Sequence, residues 1–541
     1  MKKIRYFIIL LLVGILVSCE GYLESVPFST TSPENFYKTP KDAEIALTGV
    51  YHILTAGFVQ GEGNQSTYSR LLMFMLNGGT DECVWDYRRS NAGYIDWGVA
   101  GFTSQNFFID ENWAFFYAGI NRANYLIEKL PEIEGFSASR QIEIEAEAKL
   151  LRGFYHMLLS MMHGGIPVYN TSEQDPEASR ESVEVVYQQI ISDYEFAYAN
   201  LPDRATIAGH VNKWTAAGLL AKAHTYLASM KMSGTPDFGL AINNFDWVDA
   251  DDHYDKALTY TTASIGQSNY ELIPEYRRLF LETTKDDQYK ECLLTGEAST
   301  DASGYVINLL INGFIPQGNR DRVGGGYGWM RPSGELWLKY DANDMRRDNN
   351  CSGNYINTSP TEDIDGVLYH VPRTVPHADN GTICIGKYRM MAPTQKTYNK
   401  AFAATTLPLL RYADVLLLHA EAQYFTGDEA GARNTLNIVR QRSVGETASV
   451  DDLNTAYYKA DFVEELLDER ARELCFENWR RFDLARFNKY DEVINSMSPD
   501  YGFYNSIVTT LQQNWKPERI WIPLPLDQID LNPNLIQNKG F

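Results

Sequence analysis

The chain has little cysteine, and none of it sits at metal-binding spacing. Six occur in 541 residues: Cys19, Cys83, Cys292, Cys351, Cys384 and Cys475. Five remain beyond Cys19, an odd number with no CxxC pair, which argues against a disulfide framework and a zinc site. Positive charge is also scarce, with 48 Lys and Arg against 70 Asp and Glu. So acidic a chain is repelled by polyanions, so nucleic acid and acidic lipid surfaces are poor partners. Long apolar runs are missing too. The one run of note, Phe7 to Val17, is too short to span a bilayer. The Gly-rich residues 324–328 lack a following Lys-Ser/Thr, so they form no phosphate loop. Asp341, Asp344 and Asp348 lack the Gly and distal Glu of a calcium loop. No metal, cofactor or catalytic group is expected.

What is present begins with an address. Lys2, Lys3 and Arg5 precede the apolar run, which closes on Leu16-Val17-Ser18-Cys19. Small residues before a Cys fit a lipoprotein signal peptidase, with residues 1–18 removed and Cys19 lipidated. Two or three acyl chains give stable anchoring where one is reversible. Losing those three cations takes the net charge from −22 to −25. Apolar content is ample for a core. Tyrosine, at 34 residues, and tryptophan, at 10, are plentiful, and their flat faces with polar edges suit both packing and sugar binding.

Helical periodicity dominates residues 41–270. Ala43, Ala46, Leu47, Val50, Tyr51 and Leu54 make an amphipathic stripe. The pattern predicts a non-helical stretch over 57–105 and a helix from Asn106 to Leu130. Another runs from Ser139 to the Gly164-Gly165 stop, and a fourth starts at an N-cap, Ser182. Two more span 212–231 and 250–267. Residues 275–405 read as loops with short strands. Helices return at 409–424, 428–442 and 462–486, and the Pro- and Asn-rich tail from Ile522 lies extended. The fold class is mainly α: a tetratricopeptide-like helical-repeat body over 41–270 and 408–488, with a large irregular region over 275–405 plus the loop 57–105. Residues 19–541 read as a single domain.

Ordered motifs then carry a resemblance. Tyr22-Leu23-Glu24 and Pro27 follow Cys19. Glu145 to Tyr155 (EAEAKLLRGFY) leads to Gly164-Gly165-Ile166-Pro167. Arg411 to Ala422 precedes Glu469-Arg470, Glu473 to Glu477 and Arg480 to Leu484. Asn532-Pro533 and Gln537 to Phe541 close the chain. Across nearly the whole mature length this resembles the SusD/RagB family, the surface glycan-binding lipoproteins of Bacteroidota. Gly153 stands where that family usually has Ala, and His163 where it has Tyr. The resemblance implies an outer-membrane lipoprotein facing the cell surface. It would bind oligosaccharides and deliver them to a TonB-dependent SusC-like transporter.

Sugar rings stack on Trp and Tyr while polar neighbours bond the rim. Two irregular segments offer that mixture, giving Trp85, Tyr87, Tyr94 and Trp97, then Tyr327, Trp329 and Arg331, as candidate carbohydrate-binding residues. Core packing is the competing role for each ring. Glu469, Glu473, Glu477 and Asp483 alternate with Arg470, Arg480 and Arg486 at helical spacing, which reads as ion pairing on adjoining turns. Two further functions stay open. A surface glycosidase needs two opposed carboxylates, one with a raised pKa. An interaction scaffold would use the stacked helices alone.

Overall fold

Polar caps start the long helices. The computed structural model describes residues 36–55, 57–58, 65–66, 72–85, 92–297, 329–353, 361–370, 374–375, 383–388, 406–445, 448–499 and 505–541. Thr39 and Asp42 form a capping box at the head of α1 (Pro40–Tyr51). Two short helices follow, α2 (Met73–Asn77) and α3 (Ala92–Gly98). Asn106 caps α4 (Phe107–Lys129), and Ser137 caps α5 (Ala138–His163). Ser182 caps α6 (Val183–Asn200), Asn212 and Thr215 box α7 (Lys213–Met232), and Asp249 caps α8 (Ala250–Gln267). Each cap satisfies an amide that has no partner inside its helix. Gly164 closes α5 at φ 80°, and a Cβ there would meet Asn243 Oδ1 at 2.2 Å. Only glycine fits that turn.

The helices stack in succession: α4 on α5, α5 on α6, α6 on α7 and α7 on α8. This is a tetratricopeptide-like body, in which each unit covers its neighbour's apolar face. The helix α7 is buried on every side from Trp214 to Met230, so it carries almost no polar stripe. Its Lys222 pairs with Asp414 at 2.6 Å and lies over the Trp479 ring at 3.6 Å. The unusual Gly153 has a local cause. A Cβ there would come within 2.9 Å of Tyr194 Cε1 and 3.2 Å of Asp193 Cβ, because Tyr194 leans into the space.

After α9 (Lys285–Glu291) the chain changes character. The described strands form five two-stranded antiparallel sheets. These are β1 (Gly57–Phe58) with β2 (Gln65–Ser66), β3 (Cys83–Trp85) with β5 (Met330–Pro332), and β4 (Cys292–Gly296) with β10 (Leu407–Arg411). The others are β6 (Cys351–Gly353) with β9 (Ile383–Ile385), and β7 (Thr361–Ile364) with β8 (Val367–His370). Short helices α10 (Gly334–Leu338) and α11 (Met345–Asn350) lie between them. Then α12 (Tyr412–Phe425) packs on α8, and α13 (Glu429–Val444) packs on α12. The remainder is α14 (Phe462–Leu474), α15 (Arg480–Arg486), α16 (Tyr490–Ser496), α17 (Asn505–Asn514) and α18 (Leu526–Leu531).

Several expected elements change. The stretch 57–105 is not free of helix, since it holds α2 and α3. Residues 409–411 belong to β10, whose five residues are all buried against β4 and neighbouring helices. The helix expected over 462–486 is two helices. Phe476 and Asn478 adopt φ 63° and 72°, which ends α14 and redirects the chain into α15. The tail is not wholly extended, because α18 interrupts it. It does lie against the body: Ile522 N donates to Met162 O, and Asn538 Nδ2 to His163 O.

Candidate functional site

Hydrogen bonding between β3 and β5 joins the two aromatic segments that the sequence singles out. Trp85 pairs with Met330, Val84 with Arg331 and Cys83 with Pro332. The register puts Trp85 and Trp329 beside α3, whose Tyr94 fills the space between them. Tyr94 lies 4.6 Å from Trp329 and 6.2 Å from Trp85, centroid to centroid. Phe74 of α2 meets Tyr94 edge-on at 5.0 Å, and Phe108 of α4 does so at 4.7 Å. Trp97 turns the other way. It stacks on Phe102 at 4.2 Å and donates from Nε1 to Asn106 Oδ1 at 3.0 Å. Gly98 permits this packing, because a Cβ there would sit 2.6 Å from Trp85 Cβ.

These rings are covered. Trp85 is 0 % exposed, Trp97 1 %, Tyr94 6 % and Trp329 9 %. Arg331 is buried too, with Nη1 donating to Ile383 O and to Cys384 Sγ at 3.1 Å each. In this structure the four rings and the guanidinium face protein, as a floor shared by β3, β5 and α3. Tyr87, Tyr327 and Cys19 lie outside the described residues. Glu82 ties the floor together and to the break between α14 and α15: Ser333 N donates to Glu82 O, and Phe476 N to Glu82 Oε2. Burial pushes Glu82 up to about 8, against the pull of Arg480.

The alternating charges near the C-terminus pair mostly across elements rather than along one helix. Arg411 on β10 grips Glu477 with Nε at 2.9 Å and Nη2 at 2.8 Å. Its Nη1 reaches Glu291 of α9 at 2.6 Å and Glu473 of α14 at 2.9 Å. Glu473 also takes Arg346 of α11 at 2.9 Å, and Arg442 of α13. Arg470 turns away to Asp414 at 2.8 Å and Asp483 at 2.7 Å. The expected pairing of adjoining turns survives only locally, as in Arg472 with Glu469. The break at 475–479 separates the two helices, so the charges find partners elsewhere. Burial alone would raise Glu473, but Arg442, Arg411 and Arg346 hold it well below the usual carboxylate range. Glu469 is held down the same way by Arg472, Arg346 and Arg440.

The aspartates of 341–348 are engaged by protein groups. Asp344 caps α11 and pairs with Arg346 at 2.7 Å, and Asp348 pairs with Arg347 at 3.0 Å. Among the described residues, no group of three or more His, Cys, Asp or Glu is placed to hold a metal ion. No described helix is long and apolar enough to cross a membrane.

Among the clefts of the described residues, two have aromatic side chains in their lining. One, of about 380 Å³, runs between the α6–α7 turn and β4, beside His210, Asn212, Tyr270 and Tyr289. There His210 Nδ1 contacts Glu147 at 2.7 Å, and burial with Glu297 pushes Tyr289 up to about 12. The other, of about 500 Å³, lies between α4 and the C-terminal tail and is walled by Trp113, Tyr117 and Tyr169. Sequence reasoning missed both. For the second, the signal in the sequence is Trp113 and Tyr117 four residues apart on one helix face.

Residues 318–541 match the family model described as "SusD family", and residues 82–227 match one described as "Starch-binding associating with outer membrane". The SusD-like protein P38 of Formosa agariphila is 26 % identical over 576 aligned positions, covering 100 % of both chains. A crystal structure of a SusD homolog from Bacteroides thetaiotaomicron superposes with a TM-score of 0.76 at 22 % identity, over 95 % of this chain and 99 % of that one. A surface glycan-binding protein A from Bacteroides thetaiotaomicron, in complex with laminarihexaose, gives 0.69 at 20 % identity, over 93 % and 100 %. The matched models fall on both the helical body and the C-terminal part, and together with the relatives they support the SusD/RagB family for this chain.

Proposed function

We propose that this protein is a surface-facing outer-membrane lipoprotein that binds oligosaccharides and passes them to a SusC-like TonB-dependent transporter. The observation that carries the reading is the β3–β5 pairing, which brings two distant aromatic-rich segments to one place. The family match supports it, as does a structural neighbour holding laminarihexaose. The mature chain acts as one domain, with the helices of 41–270 and 408–488 carrying the ligand region of 275–405 and the loop 57–105. Trp85, Tyr94, Trp97, Trp329 and Arg331 shape the floor of the site. Tyr87 and Tyr327, each two residues along the chain from a floor tryptophan, supply stacking faces.

A glycosidase is the weaker reading. The most prominent carboxylates, Glu469 and Glu473, are buried and held ionised by arginine. A general acid needs the opposite shift and a place beside the sugar. Glu82 has a raised pKa, but its oxygen accepts from a buried backbone amide. The scaffold reading gains from the burial of the floor rings and predicts no glycan affinity at all. A glycan array on the purified mature protein separates the three. Binding of a neutral glycan without release of reducing ends supports the proposal. Released reducing ends, or an array without a hit, would overturn it.

The anchor and the partner have their own tests. Cys19→Ala is expected to abolish labelling by palmitate and release the protein from membranes. Labelled, membrane-bound C19A protein would refute the anchor. Gentle extraction of the wild type should recover a TonB-dependent barrel, since confinement to one membrane raises the effective concentration of a modest partner.

A further inference from the structure

We infer that the cleft between α4 and the C-terminal tail is a second binding site for neutral oligosaccharide, separate from the β3–β5 floor. The inference rests on the glycan-binding reading above and extends it to another face. The cleft measures about 500 Å³, within the range of small-ligand sites. Trp113 and Tyr117 stand one helical turn apart on α4 with ring centroids at 4.8 Å, and Tyr169 meets Tyr117 edge-on at 5.5 Å. Trp113 and Tyr117 are only 6 % and 9 % exposed and back the wall, so the half-buried Tyr169 is the ring the cleft offers to the apolar face of a sugar unit. Polar groups face the same space. Gln174 and Gln528 line it, and the Gln174 side-chain nitrogen is buried without a hydrogen-bond partner among the described residues. A buried amide donor left unmet is costly, and a sugar hydroxyl would meet it.

The walls are fixed before any ligand arrives. Tyr117 OH donates to Pro167 O at 2.8 Å, and Tyr169 OH to Asp175 O at 2.9 Å. Asn532 Nδ2 and Asn534 Nδ2 bind the tail to Ala178 O and Glu177 O, both at 2.8 Å. Arg180 pins the tail again through Ile536 O at 2.6 Å and Asn538 Oδ1 at 2.9 Å. A preorganised cleft loses less on binding. Among the described residues, none that lines the cleft is charged. Asp175 lies between the lining residues Gln174 and Pro176, Asp527 precedes Gln528, and Asp110 feels Asp527. Arg180, four residues past the lining Pro176, is spent on the tail. A neutral glycan therefore fits, and a sulfated or uronic one does not.

The test is hydrogen-exchange footprinting of the full mature protein with maltohexaose, cellohexaose, laminarihexaose, xylohexaose and mannohexaose, and with a sulfated oligosaccharide. At least one neutral hexasaccharide should protect the peptides around 113–117, 169–176 and 528–535, while the sulfated one should not. The half-buried Tyr169, changed to Ala, should weaken that protection at least fivefold and leave any protection around 80–100 and 329–332 intact. Protection confined to the β3–β5 peptides would refute the cleft and leave the main site standing. Protection at the cleft alone would support the cleft and count against the floor. Protection nowhere, or cleft protection unchanged in Y169A, would overturn the second site.

Discussion

Replacing Glu473 by alanine is expected to lower stability by about 3–5 kcal/mol, because it strands buried cations without their partner. Glu473 contacts Arg346, Arg411 and Arg442, and all four side chains are almost wholly buried. The change also removes one of the ties that hold each of β10, α11 and α13 to α14. The denaturation midpoint reports it, with the exposed Lys129–Glu132 pair as the control, whose disruption should leave the midpoint in place. A Glu473→Ala midpoint no lower than that of the control would show the network to be dispensable. Acid should act in the same direction. Glu473 is held below the unfolded carboxylate value of 4.5. Its contribution is therefore complete above that pH and is lost as pH falls toward the folded value. The buried His156, His163 and His224 sit at about 3 against 6.5 unfolded, held neutral chiefly by burial. The unfolded chain takes their protons first, so their contribution is complete above 6.5 and fades below it. A midpoint that fell with decreasing pH from about 6.5 in wild type, and fell less steeply below 4.5 in Glu473→Ala, would match both groups.

The sequence made the helical body legible because period and caps agreed there. Asn106, Ser182 and Asp249 each stand immediately before an apolar stripe, and Gly164 stops α5. The break between α14 and α15 left no such mark. It rests on positive φ at Phe476 and Asn478, where no glycine or proline warns of a turn. Tertiary bonds maintain it: Phe476 N to Glu82, and Asn77 Nδ2 to Asn478 Oδ1 at 2.8 Å. Those partners are hundreds of residues away in the chain. The same limit applies to the candidate site. Composition identified both aromatic segments, because Trp and Tyr cluster there. Their pairing through β3 and β5 is a long-range contact without a period, so burial of the rings became visible only in the fold. The cleft at Trp113 escaped for a related reason. Its helix wall reads as ordinary amphipathic spacing, and its opposite wall is the tail, brought in by Arg180 and the asparagines.

Trp85→Ala is expected to cost about 3–5 kcal/mol of stability, as for other large-to-small changes at a fully buried ring. Trp85 is 0 % exposed, packs near Phe74 and Tyr94, and leaves Gly98 no room for a Cβ. Its loss would leave a cavity under β3 and loosen the pairing that joins the two segments. Glycan affinity should fall with it, because the floor no longer sets the geometry above it. Trp85→Phe should recover most of both by refilling the cavity with a ring. Tyr87 and Tyr327 should behave differently if they are the stacking faces. Alanine at either is expected to reduce binding by about 1–3 kcal/mol while the denaturation midpoint stays at the wild-type value. Calorimetry and denaturation on the same four variants separate support from contact. A Trp85→Ala protein as stable as wild type would remove the ring from the core. Tyr87→Ala and Tyr327→Ala proteins that both bind like wild type would move the contact surface elsewhere. Salt gives an independent check, since affinity for a neutral glycan should barely change with ionic strength. A steep loss with salt would mean an anionic ligand, and the basic residue that the sequence places beside Tyr87, Arg88, would then carry the recognition.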